Sequence, residues 1–181
     1  MLLLFIVTNT MAFKLSEFQE QAIAAIKADK HVLITAHTGS GKTLPAEHAI
    51  THFVETKQKR VIYTAPIKAL SNQKFSEFQQ KFPTISFGIL TGDIKFNPEA
   101  DVLIMTTEIL RNTLYLKKQT TTANLEFEMD FERELGCVIF DEVHYVNDAS
   151  RGHIWEETLL LLPKSCLYVM LSATIDNPKR F

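Results

Sequence analysis

A chain of 181 residues is long enough for one sizeable hydrophobic core and too short for two full domains. Its apolar fraction of 46% and charged fraction of 22% are those of an ordinary globular protein. The formal charge of −2 excludes a globally basic nucleic-acid binder, so any nucleic-acid contact must be local. The first apolar run, residues 2–7, has no basic flank and is too short to span a bilayer, so it reads as neither a signal peptide nor a membrane anchor. Met11 is a candidate start, and residues 1–12 read as a weakly structured leader of an intracellular protein, cytoplasmic or nuclear. Cys137 and Cys166 each fall in an apolar run and read as reduced core thiols, which fits that compartment.

Strand and helix patterns alternate nearly throughout, which predicts an α/β fold with a mostly parallel sheet and helices on both faces. Residues 16–28 read as a helix with Phe18, Ala22, Ile23 and Ile26 on one side, and 31–36 as a strand. The next helix buries Leu44, Ala46, Ala49, Ile50 and Phe53, with Pro45 in its first turn, where a missing N–H does least harm. Residues 60–65 are a strand closed by Pro66, and Leu70, Phe75, Phe78 and Phe82 mark a helix. Strands follow at 85–90 and 102–106, then a helix at 108–116. A strand at 137–142, a helix near 152–162 ended by Pro163 and a strand at 167–171 complete the series.

Residues 117–134 break the rhythm as an insertion. Within them 125–132 alternates apolar and acidic residues, which predicts a strand with one wet face, whose charge would repel a phosphate backbone.

The stretch Ala36-His37-Thr38-Gly39-Ser40-Gly41-Lys42-Thr43 lies between a strand and a helix, where a phosphate-cradling loop has to sit. A triphosphate needs many donors at short range, and a strand-to-helix turn supplies them as backbone N–H groups backed by the helix dipole. Gly39 and Gly41 let the backbone curl close. Lys42 is placed to bridge β- and γ-phosphates, and the Thr43 hydroxyl to ligate Mg²⁺. The first position of the pattern, normally glycine, is Ala36. Further on, an apolar strand ends in Asp141 and Glu142, one carboxylate for a metal shell and one to polarise an attacking water. His48 and His52 are spaced i, i+4 on a helix, but no third ligand lies nearby in sequence, so they read as surface or core-edge residues.

The segments AHTGSGKT (36–43), TAPIKALSNQKF (64–75), TGD (91–93), TTEILRNTLY (106–115), DEVHYVND (141–148), RGHIWEE (151–157) and LSAT (171–174) follow one another over nearly the whole chain. With them the chain resembles the first RecA-like P-loop domain of superfamily 2 DExH-box helicases, and most closely the superkiller-type RNA helicases that feed the RNA exosome. The resemblance implies a RecA-like domain over 13–181, ATP and Mg²⁺ as cofactors and single-stranded RNA as partner, with DNA the lesser alternative. Lys42 and Thr43 correspond to the phosphate lysine and the Mg²⁺ hydroxyl, Asp141 to a carboxylate reaching Mg²⁺ through water, and Glu142 to the hydrolytic base. His37, Thr38, Gly39, Ser40 and Gly41 complete the loop. His144, Ser172 and Thr174 resemble the residues that couple hydrolysis to strand separation.

Pro66, Lys68, Asn72, Gln73, Gly92, Asp93, Thr107 and Glu108 resemble segments that run along one nucleic-acid strand. Loops at the carboxyl ends of neighbouring parallel strands do converge on one crevice, where amides, hydroxyls and a lysine can hold phosphates. Thr107 as a helix cap and Asn72 and Gln73 as solvated residues are the alternative. Gln19 matches the glutamine that reads the adenine edge, and Phe13 the aromatic that stacks on the base. Ser16-Glu17-Phe18-Gln19 is equally a capping box, in which Gln19 turns back to the Ser16 amide.

The resemblance also implies a second RecA-like domain, with its arginine finger, that this chain does not contain. The chain alone is then expected to bind nucleotide weakly and to hydrolyse it slower by on the order of 10³ to 10⁵. RNA-decay machinery is a possible partner of the complete protein, and no membrane partner is expected. A DNA repair helicase or translocase, and a nucleotide-gated module that clamps nucleic acid without turnover, remain as rival readings.

Overall fold

The computed structural model describes residues 14–119, 127–147 and 152–173. Helix α1 (Glu17–Lys27) turns Ala22 and Ile26 into the core and leads to β1 (Val32–Thr35). Helix α2 (Thr43–Thr51) starts directly after the glycine-rich loop, with Pro45 buried in its first turn, and widens into a π-type turn, His52–Thr56, that carries Phe53 inward. Then come β2 (Arg60–Ala65), α3 (Lys68–Lys81), β3 (Phe87–Leu90), β4 (Lys95–Phe96) and β5 (Val102–Thr106). The remaining elements are α4 (Thr107–Gln119), β6 (Leu135–Phe140), a tight 3₁₀ turn (Val143–Asn147), α5 (Gly152–Leu161) and β7 (Leu167–Ser172).

The strands form one sheet in the order β1-β7-β6-β2-β5-β3-β4. Every neighbouring pair is parallel except β3 with β4. The central strands β2, β5 and β6 are buried almost end to end, as strands covered on both faces must be. One face packs Ile26, Ile50, Phe53 and Phe78 of the first three helices and the turn after α2 against Val61, Ile104, Ile139 and Val169. The other packs Leu110, Leu114 and Trp155 of α4 and α5 against Ile62, Leu103, Val138 and Phe140. Both cysteines are free and buried. Among the described residues no helix is long and apolar enough to cross a membrane.

Two elements depart from the sequence expectation. β4 is a two-residue antiparallel edge strand too short to leave a periodicity. The strand expected over 125–132 is not formed where it is described, Leu125 and Glu126 lying outside the described residues. Phe127, Met129 and Phe131 are buried and Glu128, Asp130 and Glu132 exposed, so the faces alternate as predicted. The backbone there pairs with no strand. It closes in a turn, Glu134 N–H donating to the Asp130 carbonyl at 2.7 Å, while Lys117 donates to the Met129 carbonyl. Alternation requires only one face against the core, and three apolar side chains plugging the space beside α4 satisfy it without a ladder.

Candidate active site

In a parallel sheet the loops after the strands gather at one edge, and here they carry nearly all the residues singled out in the sequence. Ala36 N–H donates to the Ser172 carbonyl at 3.1 Å, tying the start of the glycine-rich loop to the end of β7. Asp141 N–H donates to the Thr64 carbonyl at 2.9 Å, which carries β6 one residue past its last paired position and aims both acids at the loop. Gly39 and Gly41 have φ of +84° and +81°, the left-handed region that a curled loop needs and that side chains resist.

Lys42 is 7% exposed, and its Nζ lies 3.5 Å from Glu142 Oε1. This is an ion-pair distance: Nζ makes no hydrogen bond, and neither do the buried Ser40 Oγ and Glu142 Oε2 beside it. Buried polar atoms without hydrogen bonds are costly, and here they lie on the glycine-rich loop and on the Glu142 carboxylate that faces it. Glu142 has φ of +53°, a conformation that costs a non-glycine residue on the order of 1–3 kcal/mol and that recurs at functional sites. His144 Nδ1 lies 3.2 Å from Glu142 Oε2, so the carboxylate stands between the loop lysine and the histidine of the 3₁₀ turn. Thr43 is half-buried at the first position of α2, and His37 and Thr38 are exposed on the loop.

Asp141 is buried, and both of its oxygens are held. Its Oδ1 accepts the Glu142 N–H at 2.9 Å, and its Oδ2 accepts the Tyr63 hydroxyl at 2.6 Å. Burial pushes the Asp141 carboxyl above its ordinary pKa, a shift opposed by the Tyr63 hydrogen bond, reinforced by the Glu142 charge and opposed by Lys74 and the Glu142 amide. Burial and then the Asp141 charge hold the Tyr63 hydroxyl well above its ordinary range, so it is a donor. Tyr63 escaped sequence reasoning, because a tyrosine in an apolar strand reads as core.

Gln19 is 3% exposed and does two things at once. Its Oε1 accepts the Ser16 N–H at 2.9 Å, which is the capping reading, and its Nε2 donates to the Gly41 carbonyl at 3.0 Å, which pins α1 to the loop. Reading an adenine edge would require the amide to exchange these partners. Phe13 and Thr174 lie outside the described residues. Ser172 is fully buried at the end of β7.

The nucleic-acid candidates divide. Pro66, Lys68, Gly92 and Glu108 line one cleft between the loops after β2, β3 and β5. Lys68 Nζ donates to Asp93 Oδ2 at 2.6 Å across that cleft, with both side chains largely exposed. Asn72 and Gln73 are exposed on α3. Thr107 is 1% exposed and its Oγ1 has no partner, so it neither caps its helix nor presents its hydroxyl to a strand in this conformation. The His48 and His52 rings stack at 6.2 Å, and no cluster of three metal-ligating side chains occurs among the described residues.

The DEAD/DEAH box helicase family matches residues 16–181. The chain is similar to the antiviral helicase SKI2 of Saccharomyces cerevisiae, 44% identical over 93% of this chain and 12% of that protein. It is similar also to the human exosome RNA helicase MTR4, 47% identical over 93% of this chain and 15% of that protein. The human superkiller complex protein 2 is 47% identical over 94% of this chain and 12% of its own length. The chain thus spans only 12–15% of these relatives. Among solved structures, the helicase MrfA bound to DNA and AMPPNP superposes with a TM-score of 0.73 over 91% of this chain and 25% of that one, at 20% identity, a likeness of fold alone.

Proposed function

Since the chain belongs to the DEAD/DEAH box helicase family, we propose that it is the ATP- and Mg²⁺-binding half of an RNA helicase motor, whose complete protein couples ATP hydrolysis to movement along single-stranded RNA. The observation that carries the reading is the approach of Lys42 to Glu142 at 3.5 Å, which joins the phosphate loop after β1 to the acids after β6 although β7 separates those strands. Lys42 Nζ and Ser40 Oγ, neither of which makes a hydrogen bond, fit a site for bound phosphate together with the two left-handed glycines.

Lys42 would neutralise charge on the γ-phosphate, and Glu142 would accept the proton of an in-line water. Thr43 and Asp141 would hold Mg²⁺, which when bound supplies further neutralisation of the phosphate oxygens. His144 lies against Glu142 and would report the state of that carboxylate to a partner domain. The cleft of Pro66, Lys68, Gly92 and Glu108 would hold the backbone of the strand, a contact that fixes position and carries no sequence information, as suits a motor that moves on any sequence. RNA over DNA, and a place beside the exosome, are supported by the name of the relative MTR4, an exosome RNA helicase.

The test is titration of a fluorescent ADP analogue in the presence of Mg²⁺ on the wild-type chain and on Lys42→Ala, followed by competition between matched RNA and DNA strands. Binding abolished by the substitution and RNA preferred over DNA are the expected results. Equal nucleotide binding by both proteins would sink the reading, and a DNA preference would move it to the DNA translocases.

A further inference from the structure

The parallel register of β2 and β6 sets Tyr63 level with Ile139, two residues short of Asp141. Tyr63 and Ile139 share one core face of the sheet, and side chains two apart on a strand point the same way. Two residues of strand rise, about 6.6 Å, is also the reach of a tyrosine from its Cα to its hydroxyl. The hydroxyl therefore arrives at Asp141 Oδ2, at 2.6 Å, with the ring fully buried and held edge-on against Phe78 at 5.3 Å.

This geometry constrains more than Tyr63 itself. Asp141 stands at the end of its strand, where a carboxylate has two free torsions. The Glu142 amide on Oδ1 and the Tyr63 hydroxyl on Oδ2 remove that freedom from both sides. Each oxygen keeps a second lone pair, and both are thereby aimed in fixed directions. A ring so packed loses little further entropy in making the bond, so it can act as a stop for the carboxylate.

We propose that Tyr63 is a positioning residue for the metal-shell carboxylate, fixing the orientation of Asp141 and so setting how much Mg²⁺ the site needs to bind nucleotide. The proposal rests on the reading of Asp141 given above. Its substrate class is the Mg²⁺ complex of a nucleoside di- or triphosphate. Tyr63 would touch neither metal nor phosphate, and would act only through Asp141.

The experiment is titration of Mg²⁺ at fixed fluorescent ADP analogue, with a parallel titration of nucleotide in excess chelator, on the wild type, Tyr63→Phe, Asp141→Asn and Phe78→Leu. Tyr63→Phe keeps the ring and removes only the hydroxyl. It is expected to raise the Mg²⁺ concentration for half-saturation about tenfold, the low end for loss of a group that orients a ligand, while Mg²⁺-free binding stays within about twofold. Phe78→Leu, which keeps the hydroxyl and loosens the packing that holds the ring, is expected to raise the half-saturation point by less than Tyr63→Phe does.

If Tyr63→Phe superposes on the wild type while Asp141→Asn raises the half-saturation point, the positioning role is wrong and the reading of Asp141 stands. Equal weakening of Mg²⁺-dependent and Mg²⁺-free binding would make Tyr63 merely structural. Should wild-type binding ignore Mg²⁺, or Asp141→Asn match it, both the reading of Asp141 and this proposal fall.

Discussion

Lys42 Nζ and Glu142 Oε1 face each other at 3.5 Å, so the ammonium proposed to hold a phosphate and the carboxylate proposed to activate a water hold one another. Both cannot be kept when a γ-phosphate arrives, because the carboxylate and the phosphate compete for the same ammonium. Replacing Glu142 by Gln keeps the shape and removes the competing charge. Glu142→Gln is expected to tighten binding of a fluorescent ATP analogue by about fivefold, corresponding to about 1 kcal/mol for a partly screened pair, and to abolish hydrolysis. Weaker binding by Glu142→Gln would show that the ion pair organises the loop rather than competing with its ligand.

The two left-handed glycines make a sharper contrast. A Cβ on Gly39 would meet nothing within 4 Å, whereas one on Gly41 would stand 2.6 Å from Gln19 Nε2. Gly39→Ala carries the conformational penalty alone, about 1–2 kcal/mol. Gly41→Ala carries the same penalty and also breaks the bond from Gln19 to the loop, so it should melt lower. In a cycle with Gln19→Ala, the Gly41→Ala cost is expected to shrink, because the obstructing amide is gone, while the Gly39→Ala cost is unchanged. Thermal denaturation of the six proteins measures this, and additivity at Gly41 would exclude the clash.

How much of this was legible in the sequence depends on how far apart the partners lie along the chain. The glycine-rich loop and the Asp141-Glu142 pair could be read because each is a local pattern at the end of an apolar strand. Gln19 was half legible: its bond to Ser16 is three residues long and follows from a capping pattern, but its bond to Gly41 spans 22 residues. Tyr63 was invisible because its partner is 78 residues away on a neighbouring strand, and only the register of β2 and β6 brings them together. The burial of Thr107 was not legible either, because packing at the head of α4 hides it and a motif read along the chain carries no packing. Periodicity near 127–131 found the buried side correctly and mistook a core plug for a strand, since side-chain alternation says nothing about where backbone groups pair.

Lys68 and Asp93 allow a structural role to be separated from a binding role. Their 2.6 Å pair is exposed on both sides, and such pairs contribute little to stability, about 0–1 kcal/mol. Lys68→Ala should therefore leave the melting temperature nearly unchanged. If the cleft holds phosphates, the same variant should weaken binding of single-stranded RNA of every sequence alike and reduce the slope of log affinity against log salt by about one contact. Fluorescence anisotropy at several salt concentrations reads both quantities. A lowered melting temperature with an unchanged salt slope would confine Lys68 to a structural part.

His48 predicts a pH dependence of stability whose sign follows from its surroundings. Its pKa in the folded chain lies below the ordinary 6.5, first through burial and then through the charges of Lys27 and His52. The unfolded chain therefore takes up the proton first as pH falls through 6.5, and a proton bound preferentially by the unfolded state lowers stability. The contribution of His48 is fully present above that pH and is lost progressively between it and the folded pKa, below which the loss is complete. Other groups titrate in the same range, so the difference between wild type and His48→Gln isolates this one. Urea unfolding from about pH 7.5 down to about pH 5.5 should show the wild type losing stability faster than His48→Gln, and Lys27→Met should recover part of the difference by removing one of the opposing charges. Parallel curves for wild type and His48→Gln would mean that His48 takes its proton as readily in the folded chain as in the unfolded one.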